Sequence, residues 1–212
     1  MAEVKRMTIH RALTELKNLK DRIHKATSEV NVIVPNRKSN EKIGGVEVEE
    51  YKKQMQASYD KVIGLINYRN RLKTAVVQSN AKTIVTVAGE EMSVAQAIER
   101  KDSIQYEEGL FHTIQHQYRH AVAKVASEND ALPEKLETYL VNILGSKEKQ
   151  TNKEEVEMHT KTFMNRNEYE LVEPFNTVQI IEKLESYINE FKNEVDAVLS
   201  ESNATTFIEV EV

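Results

Sequence analysis

Cysteine and tryptophan are absent from this sequence of 212 residues, which also contains only 6 glycines and 3 prolines. Without cysteine there is no disulfide, no thiol nucleophile and no cysteine-ligated zinc, and the absence fits a reducing compartment. No segment approaches the roughly 20 consecutive apolar residues of a membrane span. Residues 1–10 lack the apolar stretch of a signal peptide. We therefore expect a soluble, cytoplasmic protein with no membrane partner.

The charge balance and the missing motifs narrow the possible functions. The net charge is -5 at pH 7, so there is no domain-wide basic field that would displace the counterions of a nucleic acid. The sequence has no glycine-rich phosphate loop, no nucleophile elbow and no recognisable pair of catalytic carboxylates. We expect no nucleic-acid partner, no catalytic residue, no cofactor and no enzymatic activity.

Long amphipathic segments make up most of what the sequence does contain. Apolar residues recur every three or four positions, which is the spacing of one helix face. This pattern predicts helices over about residues 9–30, 47–78, 94–125 and 177–200, and a shorter helix over about 130–145. The apolar stripes are narrow, so each helix needs a partner helix or a sister chain to bury it.

Short β-branched segments predict strands between these helices. Residues 83–87 favour a strand, Ala88-Gly89-Glu90 indicates a tight turn into a return strand, and residues 205–210 are again strand-like. The sequence thus predicts a mainly α fold of long antiparallel helical hairpins, or a bundle, with a small β-hairpin or sheet at one end. We expect one domain over residues 1–212, with a variable charged excursion at about 126–162, and completion of the bundle by homo-oligomerisation.

One pattern occurs twice along the chain. Residues 79–87 and 202–210 share five of nine positions, namely Ser, Asn, Ala, Thr and the final Val, and the same offset of 123 aligns the apolar faces of the preceding helices. We expect Asn80 and Asn203 to end these helices in the left-handed conformation. We also expect the trailing strands to join the hairpin of residues 85–92 in one small sheet. Chance similarity between two generic helix ends is the alternative.

Basic residues in the apolar phase of two helices are the first candidate site residues. Arg69 lies in phase with the buried face of its helix, so we expect it to face the bundle, where a guanidinium needs an acid or an anionic ligand. Lys101 falls on or beside the apolar phase of the next helix, and Asp102 is a candidate partner for Arg69. Two interpretations stay open: a layer of ion pairs that fixes helix register, or basic groups that converge on an anion.

Three histidines on the third predicted helix are a weaker signal. His112, His116 and His120 lie at i, i+4 and i+8, with Glu108 one turn earlier. Imidazoles at this spacing can share a metal, but the His-Glu-x-x-His motif is absent and no second cluster of ligands is evident. A solvated or subunit-facing stripe accounts for them equally well, and we expect no metal site.

The hairpin region resembles a known bacterial family. Ser79–Thr83, Gly89 and Met92–Asp102 are similar to the helix–hairpin–helix core of the septicolysin-like family of small bacterial proteins. That family has an Asn-rich helix end, a Gly turn and a helix start of the form Thr-x-x-Glu-Ala-x-x-Arg-Arg-Asp. Lys101 stands here in place of the second Arg, which keeps the charge but weakens bidentate recognition of an anion.

The chain as a whole resembles a helical family of phages and prophages of Gram-positive bacteria that has no established activity. Thr8–Leu13 and Leu199–Ala204 are typical of its opening and closing segments, and the resemblance covers most of the chain except about residues 126–160. It implies an oligomeric helical-hairpin fold and a phage setting.

These observations lead to one favoured function and two alternatives. We expect a non-enzymatic, oligomeric phage protein that binds a small anionic, nucleotide-like ligand and acts as a sponge for a host-defence signal in the host cytoplasm. The residues expected to bind this ligand are Arg69, Arg100, Lys101, Asp102 and Arg166. The alternatives are a structural or assembly protein of the virion and, as the septicolysin resemblance implies, a membrane-active protein.

Overall fold

The computed structural model describes residues 4–146 and 152–211. In chain order its elements are β1 (Val4–Thr8), α1 (Ile9–Glu29), β2 (Lys42–Ile43), β3 (Val46–Glu47), α2 (Val48–Lys82), β4 (Ile84–Val87), β5 (Glu90–Ser93), α3 (Val94–Ser103), α4 (Gln105–Asp130), α5 (Leu132–Leu144), α6 (Lys153–Asn167), α7 (Thr177–Thr205) and β6 (Phe207–Glu211). The mainly α class with small antiparallel strand pairs is confirmed.

The backbone contacts divide the chain into two compact units. The first comprises Met1–Ser103 with Glu190–Val212, and the second comprises Ile104–Asn189. The single domain expected over residues 1–212 stays a prediction. Within the expected charged excursion the structure forms α5 and α6, and residues 147–151 of that excursion lie outside the described residues.

One core cluster of the first unit lies between α1, α2 and the sheet formed by β1 and β6. Ala12 and Leu19 of α1 are fully buried in one cluster with Leu72 of α2. Ile208 and Val210 of β6 complete this cluster, because alternate side chains of a strand point to the same face. Full burial of a Leu or Ile side chain stabilises the fold by about 1.5–3 kcal/mol, so this cluster determines how α1 lies on α2.

The repeated sequence pattern corresponds to two equivalent helix ends. At the end of α2 the Thr83 N–H donates to Ser79 O at 2.9 Å, and at the end of α7 the Thr206 N–H donates to Ser202 O at 2.9 Å. Each helix is followed directly by a strand, β4 in one case and β6 in the other. The internal repeat is therefore present in the structure as well as in the sequence.

The repeat extends to the strand and helix that pair with each of these ends. β4 pairs with β5 and β6 pairs with β1, both antiparallel. Val94 N–H, which begins α3, donates to Thr83 O, and Ile9 N–H, which begins α1, donates to Thr206 O, both at 2.9 Å. The buried positions agree as well, as shown by the pairs Met7 and Met92, Ile9 and Val94, Ala12 and Ala97, Leu72 and Val195, Val76 and Leu199, and Val210 and Val87.

Each long helix of the repeat contacts the strand that follows the other helix. Arg71 of α2 donates through Nε to Glu211 O of β6 at 3.1 Å. Glu194 of α7 occupies the position equivalent to Arg71, and its Oε2 accepts from the N–H of Ala88, just after β4, at 2.8 Å. The two halves of the repeat are thus joined by a reciprocal exchange of strands.

Two expectations about the helix ends and strands were wrong. Asn80 and Asn203 lie within the last turns of α2 and α7, and Ala88 is the one non-glycine residue with a positive φ among those described. Extended backbone at Thr83 ends α2 instead. The trailing strands do not form one sheet, because β6 pairs with β1, a strand that the sequence reading did not recognise. The tight turn at Ala88-Gly89 is confirmed, with φ values of 50° and 74°.

The second unit buries few side chains. Among its described residues, the buried ones are Ile104, Leu132 and Ile188. The helix expected over 94–125 is interrupted at Ile104, where α3 ends and α4 begins. Asn129 of α4 holds the segment that follows α6 through two hydrogen bonds of 2.9 Å to the backbone of Tyr169.

Candidate functional site

A groove between α1 and α2 brings basic side chains together over an apolar floor. Its volume is ≈ 400 Å³, and we call it the basic groove. The residues that line it are Leu13, Leu16, Lys17, Lys20, Ile23 and His24 of α1, and Arg69 and Lys73 of α2.

Helical spacing aligns these side chains along one edge of each helix. The basic residues of α1 step by three and four positions, so they stand one above the other on the same face. Arg69 and Lys73 are four positions apart on α2 and are aligned in the same way. Leu16 and Ile23, which pack against the buried cluster of the first unit, supply the floor. Because the core holds α1 on α2, it also sets the width of the groove.

The groove is a local concentration of positive charge in a chain of net charge -5. Of the described residues that line it, four are lysine or arginine, one is histidine and none carries a carboxylate. Arg69 donates through Nη1 to the Asn70 side chain at 3.1 Å, which uses one of the five N–H donors of the guanidinium. Neighbouring cations repel one another, so a bound anion would be stabilised here.

Arg69 is the one predicted site residue that lines this groove, and its surroundings differ from the expectation. It is exposed rather than turned into the bundle, and its hydrogen bond goes to Asn70, not to Asp102. The expectation was wrong because position 69 lies at the border of the apolar arc of α2. A long basic side chain at such a border packs its stem and extends its charged head to solvent.

The other predicted site residues lie elsewhere. Arg100 of α3 lies over the ring of Phe191 of α7, 6.0 Å from its centroid, and Lys101 forms an ion pair with Asp196. Asp102 is exposed on α3, and Arg166 is exposed on α6 in the second unit. None of these four lines the basic groove, and a role for them in ligand binding stays a prediction.

A polar cluster beside the groove was not recognised from the sequence. Tyr68 Oη donates to Glu15 Oε1 at 2.8 Å, and Lys5 Nζ lies 3.0 Å from Glu15 Oε2. The cluster links β1, α1 and α2 and so supports the geometry of the groove. Tyr68 was the available signal, because a tyrosine in the apolar phase of a helix needs a partner for its hydroxyl.

The cluster shifts the acidity of two of its members. Burial raises the pKa of Glu15, but the hydrogen bonds from Lys5 and Tyr68 outweigh this effect, so the net pKa lies below the ordinary value. Burial, followed by the bond to the Glu15 carboxylate, raises the pKa of Tyr68 to about 12. At neutral pH Glu15 is therefore a carboxylate and Tyr68 a neutral phenol.

Comparisons with known proteins were made with family models, curated proteins and solved structures. None of them matches the chain. The resemblance to septicolysin-like and phage families therefore stays a prediction.

Two other features of the described chain offer no competing site. His112, His116 and His120 are exposed on α4. Within residues 4–146 and 152–211, no group of three or more histidine, aspartate or glutamate side chains could hold a metal ion. In the same part of the chain no helix is long and apolar enough to cross a membrane. The basic groove remains the candidate site for a ligand.

Proposed function

We propose that this chain is a non-enzymatic protein that binds a small, anionic, nucleotide-like ligand in the basic groove. The composition of the groove carries the proposal. Basic side chains from two helices stand over an apolar floor, and none of the described lining residues is acidic. The volume of ≈ 400 Å³ lies within the range of about 300–1,000 Å³ that is usual for small-molecule sites.

The residue types match a phosphate-bearing ligand with a flat ring. The guanidinium of Arg69 can form paired hydrogen bonds with a phosphate, whereas Lys17, Lys20 and Lys73 act as point charges. Leu13 and Leu16 offer apolar surface, whose burial contributes about 25 cal/mol per Å². Because the cations are exposed, we expect affinity to fall as the salt concentration rises.

The same composition favours binding over turnover. Of the described lining residues, none has a hydroxyl, thiol or carboxylate, and the three lysines there are exposed, whereas a nucleophilic lysine is activated by desolvation or by a neighbouring group. His24 is the single imidazole there, and no second group stands beside it in the lining that would orient it as a general base. A ligand would therefore be retained unchanged.

Exposed apolar side chains support the further proposal that copies of the chain assemble into a homo-oligomer. Large apolar side chains are exposed in both units, among them Val172 at 91%, Ile33 at 84% and Tyr106 at 74% exposure. Burial of such side chains against a second copy would stabilise an assembly.

The proposed biological role follows from the resemblance to phage proteins. In the cytoplasm of an infected bacterium, a protein that holds an anionic signal without consuming it would act as a sponge for a host-defence signal. The exposed apolar side chains equally favour a structural or assembly protein of the virion. Mass spectrometry of purified particles separates the two proposals: a stoichiometric amount of the chain supports the second, and its absence from particles removes it.

Ligand binding can be tested with purified protein and defined probes. After incubation with cyclic nucleotides or ADP-ribose and removal of free ligand, we expect heating to release an intact probe. The double variant Arg69→Glu/Lys73→Glu should bind at least about tenfold more weakly, since it replaces two attractive charges by repulsive ones. Lys52→Glu/Lys53→Glu makes the same charge change near the start of α2, away from the groove, and should bind normally. Failure to release any probe, or equal losses in both variants, would argue against the groove.

A further inference from the structure

The hydrogen-bond pattern of the β1–β6 sheet shows which backbone groups of β6 face outward. Ile9 N–H donates to Thr206 O at 2.9 Å, so these residues form a hydrogen-bonded pair, and such pairs recur at every second residue of an antiparallel ladder. In the register of this sheet, Ile208 and Val210 therefore bond to β1. Glu209, which lies between them, directs its N–H and C=O to the other edge of β6.

A contact at the end of the strand agrees with this assignment. Glu211 lies two residues beyond Glu209 and faces the same edge, and its carbonyl accepts the bond of 3.1 Å from Arg71 Nε. In the described part of the chain, β6 pairs with β1 alone. The outward N–H and C=O groups of Phe207 and Glu209 are thus in position to pair with an added strand.

A polar groove runs along this edge of β6. Its volume is ≈ 440 Å³, and it is separate from the basic groove. The residues that line it are Asn67, Asn70, Arg71, Thr74, Ala75 and Gln78 of α2, and Glu209, Val210 and Glu211 of β6. Side-chain amides both donate and accept hydrogen bonds, so the α2 wall suits a peptide backbone, which offers both kinds of group.

We propose that this edge binds an extended peptide segment by strand addition, with the peptide lying between β6 and the amide side chains of α2. Backbone pairing with Phe207 and Glu209 supplies the affinity. Arg71 caps the carbonyl of Glu211 and so marks the end of the pairing. The exposed carboxylates of Glu209 and Glu211 select a segment with basic side chains at alternate positions.

Charge favours such a segment over a second copy of β6. Antiparallel pairing of two β6 strands centred on Glu209 would set the two Glu209 carboxylates opposite each other, and like charges in directly opposed positions destabilise a sheet. A lysine or arginine in the opposed position stabilises it instead. We therefore assign the edge to a basic peptide of another protein.

The other half of the repeat lacks these features. At the equivalent edge of β4, α7 places the Glu194 carboxylate where α2 places Arg71, and this carboxylate accepts from the Ala88 N–H at 2.8 Å. The positions on α7 equivalent to Asn67, Thr74 and Gln78 are glutamate, alanine and glutamate. We therefore expect strand addition at β6 and not at β4.

The test uses the full chain, labelled with ¹⁵N, and the synthetic peptide acetyl-Lys-Val-Lys-Val-Lys-amide. We expect the amide signals of Phe207 and Glu209 to shift with saturation, and those of β4 to remain in place. Only alternate peptide amides can face β6. Of two peptides, one N-methylated at its odd positions and the other at its even positions, one should therefore bind at least about tenfold more weakly than the other. Glu209→Pro removes an outward N–H and spares the ladder to β1, whereas Glu209→Gln is the charge control. The proline variant should lose binding and the glutamine variant should keep most of it.

Three results would overturn the assignment. The first is the absence of any shift of the β6 amide signals up to millimolar peptide. The second is equal binding of both N-methylated peptides, a comparison that uses the unaltered chain and so does not require a variant to fold. The third is sedimentation of the free chain as a dimer that Glu209→Pro dissociates, since the edge would then be an interface between copies. Lys17→Glu/Lys20→Glu, which reverses two charges of the basic groove on α1, should bind the peptide normally, which separates this site from the basic groove.

Discussion

The half of the repeat built from α1, α2, β1 and β6 and the half built from α3, α7, β4 and β5 bury the same apolar positions but carry different polar groups. Where the first half has Tyr68 bonded to Glu15, the second has Phe191 beneath Arg100. Where the first has Lys73 in the basic groove, the second has Asp196 paired with a lysine. Burial thus conserves the fold between the halves, while the exposed positions are free to differ, and the proposed ligand site lies in one half only.

The largest expected effect tests the hydrophobic side of this comparison. Phe191 is fully buried, whereas its counterpart Tyr68 is half-buried. Phe191→Ala should therefore lower the free energy of unfolding by about 4 kcal/mol, through lost burial and a residual cavity, and Tyr68→Ala by about 2 kcal/mol. Urea unfolding followed by circular dichroism measures both. Equal losses would mean that the two halves are packed alike at this position.

A smaller effect is expected at the helix starts. Ser93 and Gln96 form a reciprocal capping box, with the Ser93 N–H donating to Gln96 Oε1 at 2.7 Å and the Gln96 N–H donating to Ser93 Oγ at 3.2 Å. The counterpart of Gln96 is Arg11, which donates its N–H to Thr8 Oγ1 but has no acceptor to return. Gln96→Ala should cost about 1 kcal/mol, and Arg11→Ala less than about 0.5 kcal/mol. A larger cost at Arg11, in the same urea experiment, would contradict the capping argument.

The titration of Tyr68 distinguishes the halves without a large change in stability. Its pKa is raised to about 12 from 10.0 by burial and then by the bond to Glu15. A raised pKa means that this contribution to stability is present below pH 10 and is lost as the pH rises through about 12. Glu15→Gln removes the carboxylate, and with it the charged hydrogen bond and the coulombic effect of Glu15, so the pKa of Tyr68 should fall but stay above its ordinary value because the burial remains. Phenolate absorbance of each protein, minus that of its Tyr68→Phe derivative, isolates the transition. An unchanged pKa in the Gln variant would show that Glu15 has no part in it.

Protonation of Glu15 at low pH provides the corresponding test on the acid side. Its pKa is lowered overall by Lys5 and Tyr68, against the raising effect of burial. A carboxyl group with a lowered pKa stabilises the fold at a pH above its ordinary pKa, and this stabilisation is lost as the pH falls through the pKa of the folded state. Glu15→Gln should therefore flatten the loss of stability that occurs as the pH falls below the ordinary pKa of a glutamate, in urea midpoints measured over a series of acidic pH values.

Much of the fold follows from helical periodicity, while the strand pairing does not. The apolar stripes predict α1, α2 and α7 because burial of a narrow stripe is the main constraint on those segments. β1 was not predicted because Val4-Lys5-Arg6-Met7 is short and charged and has one fully buried residue, Met7. Its pairing with the far end of the chain is a long-range contact that no local pattern records.

The candidate site was predictable only in part for a related reason. Arg69 stands out in the sequence because it lies in an apolar phase, whereas Lys17 and Lys20 lie between the apolar positions of α1, where helical periodicity predicts a solvated face. A solvated face becomes a groove only when two helices meet along one edge, and the packing of α1 on α2 depends on tertiary contacts. The sequence thus indicates a residue such as Arg69 that departs from the apolar pattern, and the structure shows that Lys17 and Lys20 line the same groove.

The smallest effect concerns the ion pair between Lys101 and Asp196, since Asp196 is the residue equivalent to Lys73 of the basic groove. The side chains of Lys101 and Asp196 are 41% and 75% exposed, so water screens their attraction and Asp196→Asn should cost less than about 1 kcal/mol. Asp196→Lys goes further and gives α7 the same charge that α2 has at that position. It should still create no second ligand site, because the positions equivalent to Leu16 and Lys17 are Lys101 and Asp102, which place a charge in the floor and a carboxylate on the rim. If this variant bound a second equivalent of the anionic probe by calorimetry, positive charge alone would suffice, and the argument that the apolar floor selects the ligand would be wrong.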